Sequence, residues 1–178
     1  ARADRHHRRQ ENLRSRRRYG ETGVAVPIKP GIEGMVWEYP DSFVVGREQI
    51  RQYAHSVQDM HPASHDEEAA AGLGYGEVIA PLTFVSIFGL IIQKHFFTHV
   101  DVGIATMQII QVDQKFVYHK PITAGDVLHG AMHIESVNER FGADIVVTRN
   151  VCTNQHGDMV LEAYTTLMGH EGDNSVSV

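Results

Sequence analysis

The chain has 178 residues, 42% hydrophobic and 21% charged, a composition that excludes a disordered or fibrous protein and fits one domain with an ordinary core. Its single cysteine, Cys152, excludes an intrachain disulfide framework and a cysteine-based zinc site. The net charge of −6 argues against a general nucleic-acid binder, and it averages two unlike segments.

Residues 1–18 carry eight arginines against Asp4 and Glu11, a charge of +6, while the remainder carries 8 basic and 20 acidic side chains, a charge of −12. With Leu13 as its one large aliphatic, the first segment cannot offset its ordering entropy by burial and reads as a basic flexible arm. Gly20, Gly23, Pro27, Pro30 and Gly31 then mark a linker. Residues 1–26 are therefore expected to be arm and linker, 32–171 the folded domain, and 172–178 a polar tail. The arm lacks the apolar core of a secretory signal. The most apolar run, 78–92, is interrupted by Pro81, Thr83, Ser86 and Gly89 and is too short to cross a bilayer. A cytoplasmic protein without a membrane span is expected.

Within the body, Asp41 to Val45 reads as a short strand. After Gly46, the spacing of Ile50, Tyr53, Ala54 and Val57 predicts a helix with those four residues on its buried face. Ser64 and Glu67 have the capping-box spacing and open a short alanine-rich helix that stops at Gly72–Gly76. Residues 81–97 predict a long helix that is apolar on nearly all faces, which must be wrapped by other structure. The period then changes. Residues 107–118, 127–137, 143–153 and 159–168 read as four long strands, with turns at 139–142 and 154–157. Ala143, Ile145, Val147 and Val151 are expected on one face of the third, and Met159, Leu161, Ala163 and Leu167 on one face of the fourth. Helices followed by antiparallel strands give an α+β class, and a sheet curled around one apolar helix is a single hotdog fold.

The stretches GLGYGEVIAPLTF (72–84) and VDQKFVYHKPITAGD (112–126) carry a resemblance. GMVWEYPDSFVVGREQ, DVGIATMQIIQVDQ, ERFGADIVVTRNVCTN and EAYTTLMG extend it over about residues 32–171. The chain resembles the HadA/HadC-type subunits, nearest to the HadC type, of the MaoC-like (3R)-hydroxyacyl-ACP dehydratases of mycobacterial type II fatty-acid synthesis. That resemblance implies a hotdog subunit pairing with a HadB-type catalytic subunit. The substrate implied is a long 3-hydroxyacyl chain on acyl carrier protein, elongated towards mycolic acids.

Dehydration requires a base at the α-carbon, an acid for the departing β-hydroxyl and a donor for the enolate-like oxygen. Members of the wider family supply acid and base from Asp-x-Asn-Pro-x-His, and the donor from a backbone N–H beside a glycine in Ala-His-Gly-Met. This chain reads Asp59-Met60-His61-Pro62-Ala63-Ser64-His65 and Ala80-Pro81-Leu82-Thr83. Asp59 falls on the family's aspartate, Ser64 on its histidine, and His65 one residue late. Pro81 has no N–H, and Leu82 stands where glycine allows close approach. Asp59 and His65 are the catalytic candidates, and Ile79, Pro81, Leu82 and Phe84 the candidate acyl channel. Three functions compete: a non-catalytic channel subunit, a self-sufficient R-specific enoyl-thioester hydratase using Asp59 and His65, and a thioester-binding scaffold without turnover. His61/His65 and His95/His99 have the i, i+4 spacing of a metal pair but no third ligand pattern. No metal and no cofactor are expected. An acidic carrier would need basic residues from the partner or from the arginine-rich arm.

Overall fold

The structure is a computed structural model that describes residues 31–102, 109–140 and 143–169. The arm, the tail and residues 141–142 of the expected turn at 139–142 lie outside them. Six strands form one antiparallel sheet: β1 (Val36–Glu38), β2 (Phe43–Val44), β3 (Ile109–Tyr118), β4 (Val127–Arg140), β5 (Ala143–Thr153) and β6 (Met159–Gly169). The order is β1-β4-β5-β6-β3, and β2 also pairs with β4. The helices are α1 (Arg47–Ser56), α2 (Glu67–Gly72) and α3 (Ser86–His99), with a 3-10 turn at Pro62–Ser64. No helix among the described residues is long and apolar enough to cross a membrane.

The sheet curls around α3. Phe84, Phe88, Ile92 and Phe96 recur every four residues and are fully buried. They meet Trp37 and Tyr39 of the β1 region and Phe43 of β2, with Phe43 stacked on Phe88 at 5.2 Å. Close approach to β4 depends on Gly130, where a Cβ would stand 2.4 Å from the Ile92 Cδ1 and 3.0 Å from the Phe88 ring.

Several sequence expectations need correction. α3 starts at Ser86, not at residue 81. In an α-helix the Leu82 and Thr83 carbonyls would accept from the amides four residues on. Here the Tyr118 hydroxyl donates to Leu82 O, and the Tyr53 hydroxyl to Thr83 O at 2.9 Å. The Ser86 and Ile87 amides turn instead to Thr83 O and Phe84 O, three residues back. Two tyrosines thus hold this entry in tight turns. The N-cap of α2 is Asp66, whose Oδ1 accepts from Ala69 N at 2.8 Å. Ser64, the expected cap, is buried in the 3-10 turn that Pro62 opens. Ile50 and Ala54 of α1 are buried as their spacing predicts, whereas Val57 lies past the helix end and is exposed. Strand β4 runs to Arg140, and the short β1 has no counterpart among the sequence-predicted strands.

On β5 the inward residues are Val146, Thr148, Asn150 and Cys152, while Ile145, Val147 and Val151 are half-buried on the other side. The expected face is reversed over most of the strand because β5 pairs with β6 in a register that sets Val146, Thr148, Asn150 and Cys152 opposite the buried Leu167, Thr165, Ala163 and Leu161, and paired residues share a face. On β6 the expected Leu161, Ala163 and Leu167 are buried, but Met159, at the strand's start, is exposed.

Candidate functional site

Asp59 is placed by the end of α1. Gln58 N donates to His55 O and Asp59 N to Ala54 O at 2.9 Å, the paired bonds of a Schellman cap. Gln58 occupies the left-handed position at φ 58°, where a residue other than glycine costs about 1–2 kcal/mol. The Asp59 Oδ1 accepts from His61 N at 2.9 Å, so this carboxylate closes an Asx turn. His65 Nε2 lies 2.7 Å from the main-chain carbonyl of Asp59, to which it donates. Arg51 Nε fixes the same loop through His65 O at 2.8 Å, and the rings of His55 and His65 are 4.7 Å apart. The two catalytic candidates are neighbours, joined through main chain rather than as a carboxylate–imidazole pair.

At the helix entry Pro81 is buried and offers no N–H, and Leu82 is 70% exposed. Ile79 bridges to Thr123, its N–H donating to Ala63 O at 3.0 Å. Phe84 is fully buried, 5.5 Å from the Tyr53 ring and 6.2 Å from that of Phe43. Burial pushes the Tyr118 phenol above its ordinary 10.0, with Cys152 and Tyr53 adding to the shift. Burial also pushes the Cys152 thiol up to about 12, so neither is charged near neutrality.

His95 accepts a hydrogen bond at Nδ1 from Trp37 Nε1 at 3.1 Å, and its ring stacks on His99 at 4.0 Å. One potential ligand nitrogen is therefore occupied. Among the described residues no group of three or more His, Cys, Asp or Glu side chains converges to hold a metal.

Between α3 and the sheet lies a cavity of about 220 Å³. Ser86, Gly89 and Gln93 of α3 face it from one side, and Gln111, Gln114, Asn150 and Thr165 from the strands. Val85, Phe116 and Cys152 add apolar wall. Leu90 and Gln111 line it and are exposed, which puts its open side at the β3 edge. Asp59, His65 and the four expected channel residues are not among its lining residues. Sequence reasoning misses it, although Ser86, Gly89 and Gln93 at i, i+3 and i+7 form a small polar stripe on a helix read as apolar all round.

Most buried polar groups here are satisfied. Thr165 Oγ1 donates to Gln114 Oε1 at 3.1 Å, and Gln114 Nε2 to Tyr164 O at 2.9 Å. Asn150 is the exception: the residue is 4% exposed and its Oδ1 has no hydrogen-bond partner. An acceptor buried this way costs about 1–3 kcal/mol when nothing donates to it.

Comparisons with known proteins agree with this architecture. Residues 33–163 match the model of the FAS1-like dehydratase domain region. A UPF0336 protein of Mycobacterium tuberculosis is 62% identical over 148 residues, covering 83% of this chain and 89% of its own. The C-terminally truncated HadBC (3R-hydroxyacyl-ACP dehydratase) complex of Mycobacterium tuberculosis contains a chain of 60% identity and TM-score 0.75, over 80% of this chain and 100% of that one. A MaoC-like dehydratase gives 35% identity and TM-score 0.75 over 80% of this chain and 43% of that one. The fold is a MaoC-like hotdog, and the chain belongs to the FAS1-like dehydratase domain family.

Proposed function

We propose that this chain is the non-catalytic, substrate-accommodating subunit of a heteromeric (3R)-hydroxyacyl-ACP dehydratase, acting in the cytoplasm in long-chain fatty acid and mycolic acid elongation. The observation that carries this reading is the loop at 59–65. The Asp59 carboxylate is committed to a turn amide and the His65 imidazole to a main-chain carbonyl, so neither is poised to work on an α-proton and a β-hydroxyl together. At the helix entry Pro81 has no N–H to offer a developing oxyanion.

The aspartate and histidine of catalysis then come from a HadB-type hotdog partner. There the substrate loses its α-proton to a base, and its β-hydroxyl takes a proton and departs as water, leaving the enoyl thioester. This chain contributes the wall and the room. Leu82, the exposed member of the channel set, meets the acyl chain, while Pro81 and Ile79 fix its approach and Phe84 supports the entry from the core. The cavity under α3 receives part of the chain. Strand β3, with Ile110 and Val112 exposed, pairs with β6 on one side and, among the described residues, has no strand on the other, an edge that a second sheet would cover. The acyl carrier protein docks on basic residues of the partner or on the arginines of residues 1–18, because the rest of this chain is acidic.

Hydration of a long-chain enoyl thioester, measured for this chain alone, for a HadB-type partner alone and for their mixture, tests the reading. Turnover by the mixture well above the two separate rates is expected, unchanged by Asp59→Asn and His65→Gln. Turnover by this chain alone, abolished by those substitutions, would replace the proposal with a self-sufficient hydratase. Silence everywhere would leave a thioester-binding scaffold.

A further inference from the structure

We infer that Gly89 is the specificity-determining residue of the cavity under α3: the side chain it lacks sets how much of an acyl chain the hollow takes. The inference rests on the reading of this subunit as the one that accommodates the acyl chain.

Neither backbone nor packing asks for glycine at this position. Gly89 lies within α3, and its N–H donates to Val85 O at 3.0 Å, an α-helical bond. Its φ is not positive, unlike that of Gly74 or Gly125. Alanine is the better helix former in such a place, so glycine here weakens the helix. Close approach is not the reason either. At Gly130 an added Cβ would stand 2.4 Å from Ile92, whereas at Gly89 the nearest atom is Asn150 Nδ2 at 3.9 Å, an ordinary contact. The neighbours in sequence, Phe88 and Leu90, carry large side chains.

What the glycine leaves is space. Ser86 and Gln93, about one turn before and after it on the same stripe, line the hollow together with Gly89. A side chain at 89 would enter the hollow between them, towards Asn150 of β5. The volume there is about 220 Å³, far above the ~15 Å³ that one water requires.

The wall suits hydrocarbon. Val85, Cys152 and Ala163 are its buried apolar lining, and Leu90 and Phe116 continue apolar contact among the more exposed lining residues. Thr165 and Gln114 direct their hydrogen bonds to each other and to Tyr164 O, so methylenes can cover them without breaking a bond. Ser86, Gln93 and Gln111 are half-exposed or exposed and stay within reach of solvent. A glycine that costs helix stability and opens this hollow trades stability for capacity.

Titration calorimetry of octanoic, dodecanoic and stearic acids on the full chain tests the inference. Affinity should climb with chain length. Gly89→Ala should weaken stearic acid about fourfold, the worth of one buried methylene, and Gly89→Leu by about tenfold or more. Octanoic acid should change least, so the climb flattens in the order Gly, Ala, Leu. Thermal unfolding checks each fold, and a higher midpoint for Gly89→Ala separates lost capacity from damage. Gly72→Ala is the control. That glycine is also helical with open space around it, but it lies outside the hollow, so its substitution should leave the binding series unchanged.

Stearic acid binding no better than octanoic acid, equal affinities across the three residues at 89, or an equal loss in Gly72→Ala would overturn the inference, leaving a cavity that holds water. The mixing assay is independent of this result. Graded binding without turnover in the mixture would remove the dehydratase reading and keep the role of Gly89; turnover without the grading would do the reverse.

Discussion

On one side of α3, phenylalanines 84, 88 and 96 and Ile92 are fully buried against β1, β2 and β4. On the other side, Ser86, Gly89 and Gln93 look across a cavity of about 220 Å³ to Asn150 and Thr165. The two sides share one helix, one sheet and one solvent. What separates them is the partner strand. β4 offers Gly130, which lets the helix come close, while β5 and β6 offer amides and hydroxyls at a distance. The close side holds the fold together, and the distant side leaves room for a guest. Stability and recognition are thus divided across a single helix.

Substitutions that truncate the packed side should show the largest effects. Phe88→Ala is expected to cost about 3–5 kcal/mol in urea unfolding, the range for emptying an aromatic site in a core. Gln93→Ala, on the hollow side, should stay within about 0.5 kcal/mol. Comparable losses at both positions would mean that the cavity is packed in solution. Gly130→Ala comes next. Its new methyl would overlap Ile92 and Phe88, both fully enclosed, so a loss of about 1–3 kcal/mol is expected.

This division is only partly legible in the sequence. The strands are, because a period of two sustained along a whole segment is one that a helix does not produce, and the apolar run at 78–92 demands a wrapped helix. The entry of α3 is not. Its turns are held by Tyr53 and Tyr118, which lie 30 and 36 residues from the carbonyls they bind, and no local pattern reports such a contact. The inward face of β5 is the reverse of the expected one for a related reason. Hydrophobicity favours turning Ile145 and Val147 inward, and Thr148 and Asn150 take that side because the pairing with β6 sets them opposite the buried Thr165 and Ala163. The Asp59/His65 pairing is visible as an offset of one residue. Its consequence, an imidazole bound to a main-chain carbonyl, requires the Schellman cap at Gln58, a position where glycine is the usual signal.

Cys152 sits where the packed wall meets the hollow, and its titration probes how dry that boundary is. Its thiol is pushed from 9.0 to about 12 in the folded chain by burial. The folded value lies above the unfolded one, so the stabilisation is complete below pH ~9 and is lost as pH rises from there towards 12. Between these limits unfolding free energy should fall by about 1.4 kcal/mol per pH unit, with Tyr118 adding to the slope above its ordinary 10.0. Cys152→Ala should remove the fall between pH 9 and 10 and leave the later one. A wild-type profile that stays flat until pH 10 would show water from the cavity reaching the thiolate.

The smallest effect is the most direct comparison of the two sides, because it is the same chemical change as Gly130→Ala with the opposite sign. Gly89 lies inside α3, where glycine costs roughly 0.5–1 kcal/mol relative to alanine through backbone freedom lost on folding. At Gly130 an added Cβ meets Ile92 at 2.4 Å, whereas at Gly89 its nearest neighbour is Asn150 Nδ2 at 3.9 Å, an ordinary contact. Gly89→Ala should therefore raise stability by about 0.5–1 kcal/mol, read as a higher urea midpoint with an unchanged slope. A loss instead of a gain would mean that the helix and β5 lie closer in solution, and the hollow would have to be smaller than 220 Å³.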